Sequence, residues 1–221
     1  MPTFSESSLV DWIAQNKKAV GGVLGALVLL LAVQTGWSAL HEKKLVAGAN
    51  ALHDAEESLA KELKIAGTTP ITDVDRQLTG TVTALKKITE EFSGIQAGWE
   101  ARFRLGDLYM KYEPRTGRAL PVLQAAVAAA PSTREKLFAL YALAYAFEKQ
   151  GKFDEAVQQL DAAIQLGQPY LKAEISLSRA RLLSRAGKTA EADKAFDQVA
   201  RDFANTDMAR KADQWKAIRS L

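Results

Sequence analysis

The sequence of 221 residues contains no cysteine. This absence excludes disulfide bonds, thiolate nucleophiles, cysteine-ligated zinc and attachment of a bacterial lipid at a lipobox cysteine. It suits an oxidising compartment, because no thiol can mispair there. Histidine is nearly absent as well, since His41 and His53 are the only two. Both fall on one predicted helix and point about 120° apart, so they cannot share a metal ion.

Short motifs that position catalytic groups are also missing. The sequence has neither a phosphate-binding Walker loop nor the turn that presents a nucleophilic serine. Acidic pairs such as Asp154-Glu155 and Glu56-Glu57 fall at helical positions typical of a solvated surface. We therefore predict that the protein is not an enzyme and that it uses no cofactor and no metal.

Charge of one sign does not accumulate anywhere. There are 29 basic and 26 acidic side chains, and no run of Lys or Arg exceeds two. This distribution lacks the basic footprint of nucleic-acid binding, so we predict no nucleic-acid partner. Ala and Leu dominate the apolar residues, and no segment alternates with a period of two for long enough to indicate a strand. The composition predicts an all-α fold.

One long stretch of the sequence has no ionisable residue. It covers 19–40, which is 22 residues, and as a helix it would extend about 33 Å against a bilayer hydrocarbon core of about 30 Å. Trp12 and Trp37 lie near its two ends, as interfacial aromatic residues do. The pattern predicts a single transmembrane helix over 19–40, preceded by a short cytoplasmic segment over 1–18.

Two other interpretations of this stretch are open. A cleaved signal peptide could use Gly36 and Ser38 as its small-residue cleavage site, but its apolar core would be shorter. A buried core helix would need surroundings that the rest of the chain does not supply. Two lysines lie close to each end of the stretch, so charge alone does not decide its orientation. The simplest topology keeps the short N-terminus in the cytoplasm.

Gly21 and Gly25 form a G-x-x-x-G pattern within the predicted span. This spacing lets two helices approach closely, and it predicts a homodimer formed through that face. The alternative is that glycine is simply common in membrane helices.

Beyond the span, apolar residues continue at spacings of three and four. They predict a membrane-proximal amphipathic helix over 41–66, which Gly67 and Pro70 end. Thr72 to Asp75 is similar to a capping box and predicts a helix that runs to about Phe92.

Helix–turn–helix patterns then recur through the region 72–221. The clearest unit has small Ala144 and Ala156 with large Phe147 and Leu160, and it resembles the tetratricopeptide repeat (TPR). Gly151 and Gly187 mark equivalent turns 36 residues apart. Three successive units show this pattern of small and large residues in register: 99–132, 137–170 and 173–205.

The resemblance to the tetratricopeptide repeat implies an architecture and a mode of action. We expect a right-handed helical solenoid, because a single helix pair cannot bury its apolar face alone. The segment 206–221 would form a C-terminal capping helix. In this family the first helix of each pair lines a concave groove that binds proteins. The residues expected there are Phe103, Asp107, Met110, Phe138, Tyr141, Tyr145, Leu177, Arg181 and Arg185.

Two interpretations of these groove residues are open. An aromatic centre with a basic edge could hold an extended or helical apolar segment of another protein. Alternatively, Tyr141 could serve only as packing, and Phe138 could contact the preceding helix.

The layout as a whole resembles the ancillary subunit of the bacterial SecYEG translocon. Trp12-Ile13 and Asn16-Lys17-Lys18 precede a Gly-rich span, Gly36-Trp37 lies at its exit, and a long Ala/Leu helix leads into the repeats. This resemblance implies a single-pass protein of the bacterial inner membrane with its C-terminal domain in the periplasm.

The same resemblance implies a chaperone-like or translocon-associated role. The partners would be translocon components and emerging or periplasmic polypeptides. The alternative is a scaffold subunit with a fixed place in an envelope complex for secretion, motility or cell-envelope assembly, whose partners would be the other subunits.

Overall fold

The computed structural model describes residues 16–113, 115 and 117–219. Within these residues the chain forms helices and no strand, which confirms the all-α prediction. The described residues form ten helices: α1 (Lys17–Ala66), α2 (Val74–Gln77), α3 (Thr79–Glu91), α4 (Gln96–Tyr112), α5 (Ala119–Ala128), α6 (Thr133–Lys149), α7 (Phe153–Gln165), α8 (Pro169–Arg185), α9 (Thr189–Asp202) and α10 (Asp207–Arg219).

The chain divides into two compact units, Met1–Ala47 and Gly48–Leu221. The first contains the stretch predicted to span a membrane, 19–40. Among the residues that the structure describes, no helix is long and apolar enough to cross a membrane, so this prediction is not supported. Residues 18–29 and 32 are described by their backbone alone, and the contact predicted for Gly21 and Gly25 lies outside the described residues. So do residues 1–15.

The second unit is a series of helices in which each packs against the next. Pairs α4–α5, α6–α7 and α8–α9 follow one another, and each pair also packs on the following one. A single cluster of buried apolar residues runs through the series from Leu52 to Ala212. Its largest fully buried side chains include Leu123, Leu137, Leu160, Ile175, Leu183 and Phe196.

A fourth helix pair precedes these three, and the repeat pattern did not indicate it. Leu52 and Ala55 of α1 are buried, and Glu62 of α1 bonds to Gly80 and Thr81 at the start of α3. From Gly48 onward, the helix predicted as merely membrane-proximal therefore contributes to the core of the repeat unit.

The predicted helix from Thr72 to Phe92 is in fact two helices. They are interrupted at Leu78, whose φ of −123° and ψ of 41° are not helical. The capping residue of α2 is Asp73 rather than Thr72, because the Asp73 carboxylate accepts the N–H of Arg76 at 3.2 Å. The hydroxyl of Thr79 bonds to the carbonyl oxygens of Asp75 and Arg76, which ends α2.

Other helix boundaries follow the local signals in the sequence. Ser132 is the N-cap of α6 and accepts the N–H of Arg134 at 3.2 Å. Gly151 and Gly187 have φ of 72° and 76°, a left-handed conformation that glycine adopts without strain. At the C-terminal end, α10 packs on α8 and α9 and buries Ala209 and Ala212.

Candidate polypeptide-binding groove

Helices α4, α6 and α8 are the first helices of their pairs, and they carry all nine predicted groove residues. On α6, Phe138 is 39% exposed and Tyr145 is 47% exposed. Phe103, Tyr141 and Arg181 are half-buried, and Asp107 and Arg185 are exposed. Met110 and Leu177 are buried in the core, at 8% and 6% exposure; Met110 still lines a cavity between the helices, whereas Leu177 lines none of the three cavities described below.

Three cavities lie along these helices and share residues with one another. The first, which we call the apolar cavity, has a volume of about 500 Å³. The second, the central cavity, has about 340 Å³ and shares Phe103 with the first. The third, the basic cavity, has about 380 Å³ and shares Tyr145 and Lys149 with the second. Together they form one groove.

Three aromatic side chains line the apolar cavity, and the charged residues at its wall are matched in two ion pairs, Arg104 with Glu100 and Arg134 with Glu135. The rings of Trp99 and Phe103 stack on α4 with centroids 5.3 Å apart, and Phe138 faces the cavity from α6. Trp99 is fixed by a hydrogen bond of 3.0 Å from its indole N–H to the carbonyl of Ala126. Because that donor is satisfied, the ring presents an apolar surface to the cavity.

The central cavity mixes apolar and charged groups. Asp107, Met110 and Lys111 line it from α4, and Tyr145 and Lys149 line it from α6. The ammonium group of Lys149 lies 4.7 Å from the centroid of the Tyr145 ring. This cation–π contact holds a positive charge over the ring that separates the central from the basic cavity.

The basic cavity is lined by Lys149, Arg181 and Arg185 with one acidic residue, Glu148. Arg185 forms an ion pair with Glu148, and its guanidinium lies 4.7 Å from the centroid of the Phe153 ring. The guanidinium of Arg181 lies 5.0 Å from the ring centroid of Trp215 in α10.

Tyr141 stands in the same cavity with its hydroxyl in a polar network. The hydroxyl donates to a carboxylate oxygen of Glu174 at 3.3 Å and lies 3.4 Å from the hydroxyl oxygen of Ser178. Burial raises the pKa of Tyr141, so the hydroxyl keeps its proton at neutral pH. Tyr141 therefore joins α6 to α8 and also presents ring surface to the groove.

Sequence reasoning missed several residues that line the groove. Trp99 precedes Phe103 by one helical turn, a spacing that could have indicated a shared face. Lys111, Lys149 and Ser178 likewise lie one helical turn from the predicted residues Asp107, Tyr145 and Arg181, so the same spacing could have indicated them. In the part of the chain that the structure describes, no three or more acidic or histidine side chains are grouped to hold a metal ion.

The fold and this groove define a class, the helical-repeat proteins that present a groove along the first helices of stacked pairs. Residues 138–166 match the family model of the tetratricopeptide repeat, which confirms that repeat in this chain. Our prediction of the translocon-subunit family is not confirmed by any comparison.

Two solved structures have a similar fold. Both contain the nearly identical TPR-like repeats assigned to a kinesin light chain of Podosopora anserina, and one is a point variant. They are 16% identical in sequence, with TM-scores of 0.58 and 0.57, and they cover 78% of this chain and 85% and 86% of theirs. At this identity the similarity shows the fold alone. The comparison with curated proteins found no match.

Proposed function

We propose that this protein is an interaction module that binds a polypeptide segment in the groove along α4, α6 and α8. The exposure of Phe138 and Tyr145 is the observation that carries the proposal. Large aromatic side chains left open to water on a preformed concave face are typical of binding surfaces, and without a partner they favour aggregation.

The construction of the groove also supports binding. Its walls are helices whose backbones are fixed by a continuous core, so little order has to be created when a partner binds. Aromatic side chains have few rotatable bonds and contribute large contact area at low entropic cost. A bound segment could place side chains in successive cavities, since neighbouring cavities share the side chain of Phe103 or of Tyr145 as a wall.

The test is photocrosslinking from within the groove. A photoreactive amino acid at exposed position 107, in the central cavity, should capture polypeptides in cells. The double change Phe138→Ala and Tyr145→Ala should remove these products and leave helicity and the melting temperature nearly unchanged, because both rings are exposed. Truncating an interface anchor typically lowers affinity by about 30-fold.

A matched control is Ile65→Ala, which truncates an apolar side chain that is 85% exposed and lies outside the three cavities. It should leave the crosslinks intact. If the double variant keeps its crosslinks while remaining folded, the groove is not the binding site. If it unfolds, Phe138 and Tyr145 belong to the core and the proposal fails.

We further propose that the module is anchored in the bacterial inner membrane with its repeats in the periplasm, as a chaperone-like or translocon-associated protein. The uncharged stretch 19–40 and the exposed Trp37 and Leu40 support this. Carbonate should then fail to extract the chain, and protease should digest the repeats only after the outer membrane is permeabilised. Extraction by carbonate would contradict the anchor, and a single stoichiometric crosslinked partner would favour the scaffold role.

A further inference from the structure

The two ends of the groove differ in chemistry. Three aromatic rings line the apolar cavity. The basic cavity has three cationic side chains and one carboxylate among its lining residues. A ligand complementary to this groove must therefore have two chemically different parts, one for each end.

Positive charge in the basic cavity exceeds what the neighbouring carboxylates neutralise. Glu148 is paired with Arg185, and Glu174 accepts a hydrogen bond from the Tyr141 hydroxyl, so the three cations face two carboxylates and one positive charge is in excess. Lys149 and Arg181 instead lie against the rings of Tyr145 and Trp215. Among the described residues, neither of these two cations forms an ion pair with a carboxylate.

Arg181 lines the basic cavity. Its Nε is covered and, among the buried side-chain nitrogens and oxygens that the structure describes, is the one without a hydrogen-bond partner, so a ligand would bind the terminal guanidinium nitrogens. A guanidinium binds carboxylates through two parallel hydrogen bonds. Trp215 limits the movement of this guanidinium, which reduces the entropy lost when a carboxylate binds.

From these contacts we infer that the groove binds a segment of another polypeptide in which a bulky apolar side chain and acidic side chains are separated by about four or five residues, enough to span the central cavity. The apolar side chain enters the cavity of Trp99, Phe103 and Phe138. The carboxylates bind Lys149 and Arg181. This inference rests on the proposed function. It restricts the expected partners from polypeptides with any exposed apolar segment to those whose apolar segment also carries acidic side chains.

The test uses fluorescent synthetic peptides and the whole chain. One peptide carries a Phe and, about five residues further along, two Glu residues, so that it can span the central cavity. Its two companion peptides carry Gln or Lys in place of both Glu residues. The Glu peptide should bind at least about tenfold more tightly than the Gln peptide, and the Lys peptide should bind most weakly. Added salt should weaken binding of the Glu peptide more than that of the Gln peptide.

Charge-removing variants locate the effect in the basic cavity. Lys149→Gln combined with Arg181→Gln should reduce affinity for the Glu peptide to that for the Gln peptide. Lys172→Gln is the matched control, because Lys172 is an exposed cation of α8 outside the three cavities. The Lys172→Gln variant should bind the Glu peptide and the Gln peptide with unchanged affinity. Because removing Arg181 could loosen α10, the peptide series on the unaltered protein decides the question if the double variant unfolds.

The outcomes separate this inference from the proposed function. If the Glu and Gln peptides bind equally well and Phe138→Ala with Tyr145→Ala weakens both, the groove binds polypeptides but does not select acidic ones. If none of the three peptides binds, the groove is not a site for such segments and both proposals fail. Stronger binding of the Lys peptide would overturn the inference.

Discussion

The carboxylate of Glu62 accepts the backbone N–H of Gly80 at 2.7 Å, across 18 residues of sequence. It also accepts the N–H of Thr81 at 3.1 Å and the Thr81 hydroxyl at 2.6 Å. The N-cap residue of α3 is Leu78, which has no side-chain acceptor. Glu62 of α1 therefore caps α3, because its carboxylate accepts hydrogen bonds from N–H groups in the first turn of α3. The same bonds hold α1 and α3 together as the first helix pair.

We expect Glu62→Ala to lower the free energy of unfolding by about 1–2 kcal/mol, because the first turn of α3 loses its acceptor. Glu62→Gln should lower the free energy of unfolding by less, since the amide oxygen still accepts a hydrogen bond. Urea unfolding monitored by circular dichroism measures both. Glu57→Ala, which alters an exposed carboxylate one turn away on α1, should change stability by less than about 0.5 kcal/mol. Equal effects at positions 57 and 62 would argue against the cap.

Gly98→Ala should destabilise the protein although it introduces a better helix former. A Cβ atom at position 98 would lie 2.3 Å from the carbonyl oxygen of Phe92, which is backbone and cannot rotate away. We expect the free energy of unfolding to fall by about 1–3 kcal/mol. A Gly to Ala change within a helix usually raises it by about 1 kcal/mol.

Gly106→Ala is the companion change. Its Cβ would lie 2.6 Å from a methyl group of Leu123, a side chain that has some freedom to shift. Thermal unfolding of both variants tests this: Gly106→Ala should lower the melting temperature less than Gly98→Ala does. A stabilised Gly98→Ala variant would contradict the close approach at Phe92.

The N-terminus of α6 should be sensitive to acid. The hydroxyl of Ser132 donates to the carboxylate of Glu135, and this bond, with further hydrogen bonds from Arg134, lowers the pKa of Glu135. A lowered folded-state pKa contributes stability that is complete above the unfolded value of about 4.3 and is lost as pH falls through the folded value. The stabilisation is therefore present at neutral pH.

Ser132→Ala should raise the pKa of Glu135 toward its ordinary value and lower stability at pH 7 by about 1 kcal/mol through the lost cap. Its stability deficit against the unaltered protein should shrink as the pH falls below about 4. Urea unfolding at a series of pH values compares the two proteins. A deficit that stays constant over the series would show that Glu135 does not depend on Ser132.

Leu143→Asp should unfold the second unit or cost several kcal/mol. Leu143 is 3% exposed in the core of the helix series, and a carboxylate there would have no partner. Lys136→Asp places the same side chain at an exposed position of α6 and should be tolerated. Circular dichroism distinguishes the two variants, and a stable Leu143→Asp protein would be inconsistent with the core described above.

The later helix pairs were predictable from sequence because their signals are local. Ser132 caps α6 from the adjacent position, and Gly151 and Gly187 end their helices without help from distant residues. The first pair was not predictable in this way. Leu52 and Ala55 fit any amphipathic helix, and the cap from Glu62 to α3 depends on a contact across a loop that the sequence pattern does not encode.

The groove was predictable only in part. The spacing of Phe138, Tyr141 and Tyr145 placed them on one helical face, and the structure has all three lining the cavities. Leu177 has the corresponding spacing on α8 but is buried, because the burial of a position depends on how neighbouring pairs pack. Lys149 was missed although it follows Tyr145 by one helical turn and so lies on the same face, because only the aromatic positions of α6 were considered.

The order in which helices contact one another also bears on how the second unit folds. Each helix packs mainly on the one or two that follow it in the chain, so most contacts close short loops. Proteins with such low contact order fold quickly, and an array of this kind can assemble one pair at a time as the chain is synthesised. In the part of the chain that the structure describes, α10 packs on α8 and α9 alone, so its amides should be among the first of these helices to exchange with solvent deuterium.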